Sequence, residues 1–367
     1  MPLISDPQEV EAIYDEARAC GVCLANFCTA HSYATEAILR AASEFGHEHG
    51  IPDVPVIVSV TGNYPIESQL ASYTPLHDAL FGLRALLSDV DLMLSAGSPY
   101  ANLRVMLHLD HGQPDRDADL LPEVMDTFAT VMYDASNWPL AENIRRTAAF
   151  VERNQHRVQV EGAVTEIVQA VSQAQRDDLT TPEEAERFWR ATGVSLLVCN
   201  LGTEHRATVP VARYNGEVAR AIRDRVGQRL VLHGVSSVPD AALSTLVQDG
   251  IIKVNLWTTF ERTGAQAVAR DVLEQLGNIL SAGDLALLGA EGWLGERYFH
   301  DQVSREWWLL HKGARIYDED GAFYIQWPMR CRNVSDDGLR CMDYENRPAT
   351  CRLYVCRCMA GKMRGRP

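Results

Sequence analysis

Apolar and polar positions along the chain alternate between short hydrophobic runs and longer amphipathic stretches. Eight runs have the length and β-branched content of strands: 22–28, 55–60, 104–110, 130–135, 157–164, 195–201, 229–235 and 251–257. Several are continuously apolar, the pattern of parallel strands covered on both faces. Between them the spacing turns helical. Residues 35–49 place Ala37, Ile38, Ala41, Ala42 and Phe45 on one face, and 140–153 do the same with Leu140, Ile144, Ala148 and Val151. The stretch 182–191 opens with Thr181 as N-cap, Pro182 at the first helical position, and Glu183 and Glu184 in the first turn, where the helix dipole favours anions. Further helical patterns cover 214–226, 239–248 and 261–276. Eight strand–helix units in order over about 275 residues predict an α/β fold, a (β/α)8 TIM barrel, with a doubly wound open sheet as the alternative.

The alternation stops near residue 280, so the expected organisation is a barrel catalytic domain over 1–280 and two appendages. Residues 281–330, with Trp293, Tyr298, Phe299, Trp307 and Trp308, are expected to form a helical extension packed on the barrel or a partner subunit. Residues 331–367 form a basic tail with five of the nine cysteines: Cys331, Cys341, Cys351, Cys356 and Cys358. Their spacing fits no paired Cys-x2-Cys finger. The formal net charge of −15 argues against binding nucleic acid, which needs clustered Lys and Arg. No uninterrupted apolar segment reaches the roughly 18 residues of a membrane helix, and no secretory signal opens the chain. These features point to a cytoplasmic enzyme with reduced thiols, in which Cys20, Cys23, Cys28 and Cys199 are small core residues. The polar connection 165–180 has the character of an active-site loop.

The carboxyl ends of barrel strands form the catalytic face, so polar residues at strand ends are the candidates for chemistry. Strand three ends in His108-Leu109-Asp110-His111-Gly112, strand six runs out to His205, and strand seven ends in His233-Gly234-Val235-Ser236. Three imidazoles on one rim suit zinc (Zn2+) with an open coordination position, able to act as a Lewis acid. Asp110 is placed to serve as general acid/base beside His111. Asp134 and Glu161 either orient a histidine or bond to backbone in the barrel core. Ser236, Asn255 and Thr258, at the ends of strands seven and eight, lie where many barrels bind phosphate, though helix N-capping favours the same residue types.

The run Arg-Val-Met-Leu-His-Leu-Asp-His-Gly at 104–112 resembles the first signature of the class II, zinc-dependent fructose-bisphosphate and tagatose-bisphosphate aldolases. Four further segments resemble that family in order: 133–143, 179–205, 232–237 and 253–258. The resemblance spans about residues 20–275. It implies reversible aldol cleavage of a sugar, sugar phosphate or related hydroxyketone through a metal-stabilised enediolate, by a homodimer or homotetramer. It implies zinc on His111, His205 and His233, and Asp110 exchanging a proton with the aldehyde-derived oxygen. Gly234, Ser236, Asn255 and Thr258 then surround the donor ketone, and Asn26 also belongs to the substrate-binding set.

The chain departs from the family's pattern at several positions. Where the family has Glu-x-Glu after strand five, this chain has Glu161-Gly162-Ala163, and the glycine-rich loop that follows is replaced. Glu166 is then the substitute for the loop carboxylate that serves as donor-side base. Arg206 directly follows the second histidine, where it can clamp an anion, and Trp257 stands where the family has a small or acidic side chain. A metal-dependent epimerase or isomerase using the same enediolate chemistry is the alternative function, and a non-catalytic relative working through its tail is the other.

Overall fold

The computed structural model describes residues 3–51, 53–165, 179–204 and 214–274, and the strands 315–319 and 322–326. Eight parallel strands close into a barrel: β1 Leu24–Cys28, β2 Pro55–Thr61, β3 Arg104–Gly112, β4 Thr130–Tyr133, β5 Gln159–Ala163, β6 Leu196–Val198, β7 Leu230–Leu232 and β8 Ile251–Leu256. Each pairs with its neighbour in sequence, β8 pairs with β1, and the ring is complete. An eight-stranded closed sheet leaves no open edge. The expected barrel is therefore the observed one, and the open-sheet alternative is excluded. Contacts divide the chain into Met1–Gln266 and Ala267–Pro367.

Helices between the strands begin and end as local chemistry dictates. Asp78 caps Ala79–Met93 by accepting from the Phe81 amide. Thr181 and Glu184 form a reciprocal capping box at the start of Pro182–Thr192, and left-handed Gly193 ends that helix. The pattern at 239–248 gives only the short helix Asp240–Leu243.

Alternation along the strands sorts their residues into two cores. On β3, Val105, Leu107 and Leu109 face the outer helices, whereas Met106 joins Ile57, Met132, Val198, Val231 and Ile252 inside the barrel. The interior is closed from below by a helix absent from the sequence-based assignment, Pro7–Cys20. Its buried face of Val10, Ile13, Tyr14 and Ala17 packs on that inner layer. Cys20, at its end, is exposed, and Cys23 is half-buried with its thiol on the Ile251 carbonyl, so only Cys28 and Cys199 are the core residues expected. The last turn of Pro7–Cys20 turns Cys20 away from the packed face.

In the segment 281–330, expected to be helical, Arg315–Glu319 and Ala322–Gln326 instead pair as an antiparallel hairpin. The aromatic cluster at 293–308 and the tail 331–367 lie outside the described residues. No described helix is long and apolar enough to cross a membrane.

Candidate active site

The chemistry-bearing residues gather at the carboxyl ends of the strands. Following the inward Met106, His108 and Asp110 also face the barrel axis by the two-residue period. His111 should then face outward. It does not, because its φ of 50° puts it in the left-handed region, and the β3–β4 register shifts between Leu109 and Gly112. Such a backbone costs a non-glycine residue about 1–2 kcal/mol. It turns Asp110 and His111 into one cleft.

A second irregularity works the same way on β8. The β7–β8 register shifts so that Leu230 pairs with Ile251 while Val231 pairs with Lys253. The extra residue brings Lys253 to the same interior as Ile252. There the Lys253 ammonium, wholly buried, donates to Glu161 Oε2 at 2.6 Å and to His108 Nε2 at 3.2 Å. Accepting from an ammonium requires His108 to carry its proton on Nδ1, which lies 2.7 Å from Thr130 Oγ1. Burial and the Lys253 charge hold the His108 pKa down. Burial opposes ionisation of Glu161, but Lys253 and His108 outweigh it and bring its pKa to about 2.

Asp110, His111 and His233, all buried, bring two imidazole nitrogens and a carboxylate oxygen within 4.8 Å of one another. His111 Nδ1 donates to Asp134 Oδ2 at 2.8 Å, and Asp134 Oδ1 in turn accepts from the Ser136 amide and hydroxyl. That bond fixes the ring and leaves Nε2 as the nitrogen that could hold a metal. Tyr64 stacks on the other side of the imidazole, with centroids 4.4 Å apart. The Asn255 amide donates to His233 Nε2 at 3.1 Å and to Asp110 Oδ2 at 3.3 Å, and its own carbonyl accepts from Asn26 at 2.9 Å. His233 Nε2 therefore spends its one lone pair on the Asn255 amide, which a metal at that nitrogen would have to displace. Glu161 Oε1 lies 3.7 Å from the same nitrogen. Burial alone would raise the Asp110 pKa, but the imidazoles of His233, His111 and His108 hold it well below the usual carboxylate range. The His111 imidazole, despite burial, is raised to about 9 by Asp110 and Asp134.

The cleft above these groups is lined by Gly234, Ser236, Asn255, Trp257 and Thr258, together with Tyr64, Glu67 and Gln69. Gly234 has a φ of 66°, and a Cβ there would stand 2.8 Å from the Glu204 carbonyl, so no other residue fits without displacing that backbone. Trp257 donates its indole N–H to Glu67 Oε2 at 2.9 Å.

The sequence model of the family described as Fructose-bisphosphate aldolase class-II matches residues 8–297. The chain belongs to the class-II fructose-bisphosphate aldolase family. Among solved structures, the fructose-bisphosphate aldolase of Campylobacter jejuni is 17% identical at a TM-score of 0.60, with 76% of this chain and 84% of that one covered. The YdjI aldolase of Escherichia coli K12 is 23% identical at a TM-score of 0.51, with 73% and 86% covered. At such identities these two neighbours speak for the barrel fold alone.

Class-II aldolases are metal-dependent, and the donor set here fits a divalent ion. Two buried imidazoles, one braced by a carboxylate, stand beside a carboxylate oxygen, Asp110 Oδ1, that is buried without a hydrogen-bond partner among the described residues. His205, Arg206 and Glu166 lie outside the described residues. The remaining expected residues, Asp110, His111, His233, Asn26, Asp134, Glu161, Gly234, Ser236, Asn255, Trp257 and Thr258, all line the cleft or bond to residues that do. Missed by sequence reasoning were His108 and Lys253, whose partnership spans 145 positions, and Glu67, in the connection after β2.

Proposed function

We propose that this chain is a zinc-dependent aldolase, cytoplasmic and homo-oligomeric, that reversibly cleaves a sugar, sugar phosphate or related hydroxyketone. The observation that carries the reading is the buried meeting of Asp110, His111 and His233 at the barrel mouth. Zinc on His111, His233 and His205 would polarise the ketone and offset the negative charge that accumulates there as the carbon–carbon bond breaks.

The chain's own residues supply the rest. Asp110, kept ionised, takes the proton of the hydroxyl that becomes the aldehyde, and returns it in the synthetic direction. The Asn255 amide donates to the Asp110 carboxylate and, until a metal takes the lone pair of His233 Nε2, to that ring as well. Asp134 fixes the His111 tautomer, and Tyr64 covers that ring against water. Carbonyl-bond electrons are thereby handled in a cleft whose reacting groups are set before substrate arrives.

The test is turnover of a panel of ketoses, with the released aldehyde measured directly, before and after chelation. Aldehyde release that chelator abolishes and zinc restores supports the reading. Conversion of a ketose into its epimer without aldehyde would replace it by the epimerase alternative. Zinc-free protein that turns over nothing would sink both.

A further inference from the structure

The two oxygens of the Asp110 carboxylate stand in unlike settings. Oδ2 accepts from the Asn255 amide at 3.3 Å. Oδ1 is buried with no hydrogen-bond partner among the described residues, although His108 Nε2 is only 3.8 Å away. An imidazole with its proton on Nε2 could close that gap by a small rotation and donate to Oδ1. The base of the site would then have both oxygens occupied before substrate arrived.

Lys253 decides against that arrangement. Its Nζ lies 2.6 Å from Glu161 Oε2, with both side chains wholly buried, and so short a contact between an amine and a carboxylate is an ion pair. An ammonium has three N–H groups and no lone pair, so where Nζ meets His108 Nε2 at 3.2 Å the lysine donates. The His108 proton is thereby confined to Nδ1, which donates to Thr130 Oγ1 at 2.7 Å. The sheet holds that hydroxyl in place, because Thr130 is the direct partner of His108 in the β3–β4 register. The β7–β8 register shift has a matching consequence, since it brings the ammonium to the other nitrogen. With both nitrogens engaged, the ring offers Asp110 no N–H. Lys253 is absent from the lining of the cleft, so it acts through the ring and not on substrate.

We infer that Lys253 is a positioning residue, which commits His108 to the Nδ1–H tautomer and so keeps Asp110 Oδ1 an open acceptor for the substrate hydroxyl. The consequence for turnover rests on the aldolase reading. The tautomer itself does not.

Two measurements on the full chain test it. First, the histidine rings are labelled with heavy nitrogen, and long-range proton–nitrogen correlation spectra of the chelated protein at neutral pH read which nitrogen of His108 carries the proton. The wild type is expected to show a neutral ring protonated on Nδ1. Lys253→Met with Glu161→Leu removes the ion pair without stranding a charge, and is expected to move His108 toward the Nε2–H form. Second, zinc content and aldehyde release are compared for the same two proteins. The double variant is expected to keep its zinc and lose about tenfold or more in kcat. A wild-type His108 protonated on Nε2, or on both nitrogens, would overturn the inference whatever the protein turns over, and needs no variant. A double variant that keeps the Nδ1–H form, or that moves to Nε2–H at full turnover, would overturn it as well. The expected tautomers in both proteins, with no aldehyde released from any ketose by the zinc-loaded wild type, would sink the aldolase reading and leave the hold of Lys253 on His108 standing.

Discussion

Lys253→Met removes the ammonium that neutralises Glu161 inside the barrel. Both side chains are fully buried and their charged atoms are 2.6 Å apart. Against the cost of burial, Lys253 together with His108 and His233 brings Glu161 from an ordinary value of 4.5 to about 2, a preference for the charged form worth about 3 kcal/mol at 1.36 kcal/mol per pH unit. Stripping one partner from a buried ion pair costs roughly 3–5 kcal/mol, because the remaining charge is left without compensation. The two routes agree, and His108 loses its donor as well. The assay is urea unfolding followed by far-UV circular dichroism. Its pH dependence has a definite sign. In the wild type, Glu161 is depressed, so its contribution is complete above the ordinary glutamate range and is lost only as pH falls toward 2. In the variant, a buried carboxylate without its cation has a raised pKa, so acidification relieves the damage. The stability gap between the two proteins is therefore expected to narrow between about pH 7.5 and about pH 5. Adding Glu161→Leu to Lys253→Met removes the stranded charge and should recover at least half the loss. A loss below about 1 kcal/mol, or a gap indifferent to pH, would refute the reasoning.

Asp134→Ala takes away the carboxylate that orients His111, and is expected to weaken zinc affinity by about 10–100-fold, read by competition with a chromophoric chelator, while circular dichroism stays native. Unchanged affinity would mean the bond does not position the ring. Among the four cysteines of the barrel, Cys20 is expected to be alkylated rapidly in the native protein, and Cys28 and Cys199 to stay unmodified until unfolding. Burial drives both thiols up, Cys199 to about 12. Peptide mapping after iodoacetamide reads the order, and early labelling of Cys199 would contradict the described packing.

The barrel was legible because strands buried on both faces leave continuous apolar runs, and because eight of them recur at βα spacing. The rim was legible for the same reason: once strand ends are located, His111, Asp110 and His233 fall on one face. The geometry that makes them a site was not. Period-two alternation would send His111 to the outside and separate Ile252 from Lys253, and a left-handed residue and a register shift reverse those expectations. Neither leaves a sequence signal, since His at positive φ has no compositional mark. Lys253 read as one charge in an apolar strand, and only closure of the barrel brings it to His108 and Glu161. The helix Pro7–Cys20 was readable from Val10, Ile13, Tyr14 and Ala17 but is announced only by the two-residue strand Leu3–Ile4. Glu67 sits in an irregular connection, and its tie to Trp257 spans 190 positions.

The central claim is that His111, His205 and His233 hold zinc while Asp110 moves the proton. Zinc content and aldehyde release should be measured together on wild type, His111→Ala, His205→Ala, His233→Ala and Asp110→Ala, each purified under identical conditions. The account predicts about one zinc per chain in the wild type, loss of both metal and turnover in each histidine variant, and retained metal with turnover lowered about 10²–10⁴-fold in Asp110→Ala. Full activity in Asp110→Ala, or zinc retained at wild-type content after loss of any of the three histidines, would contradict it.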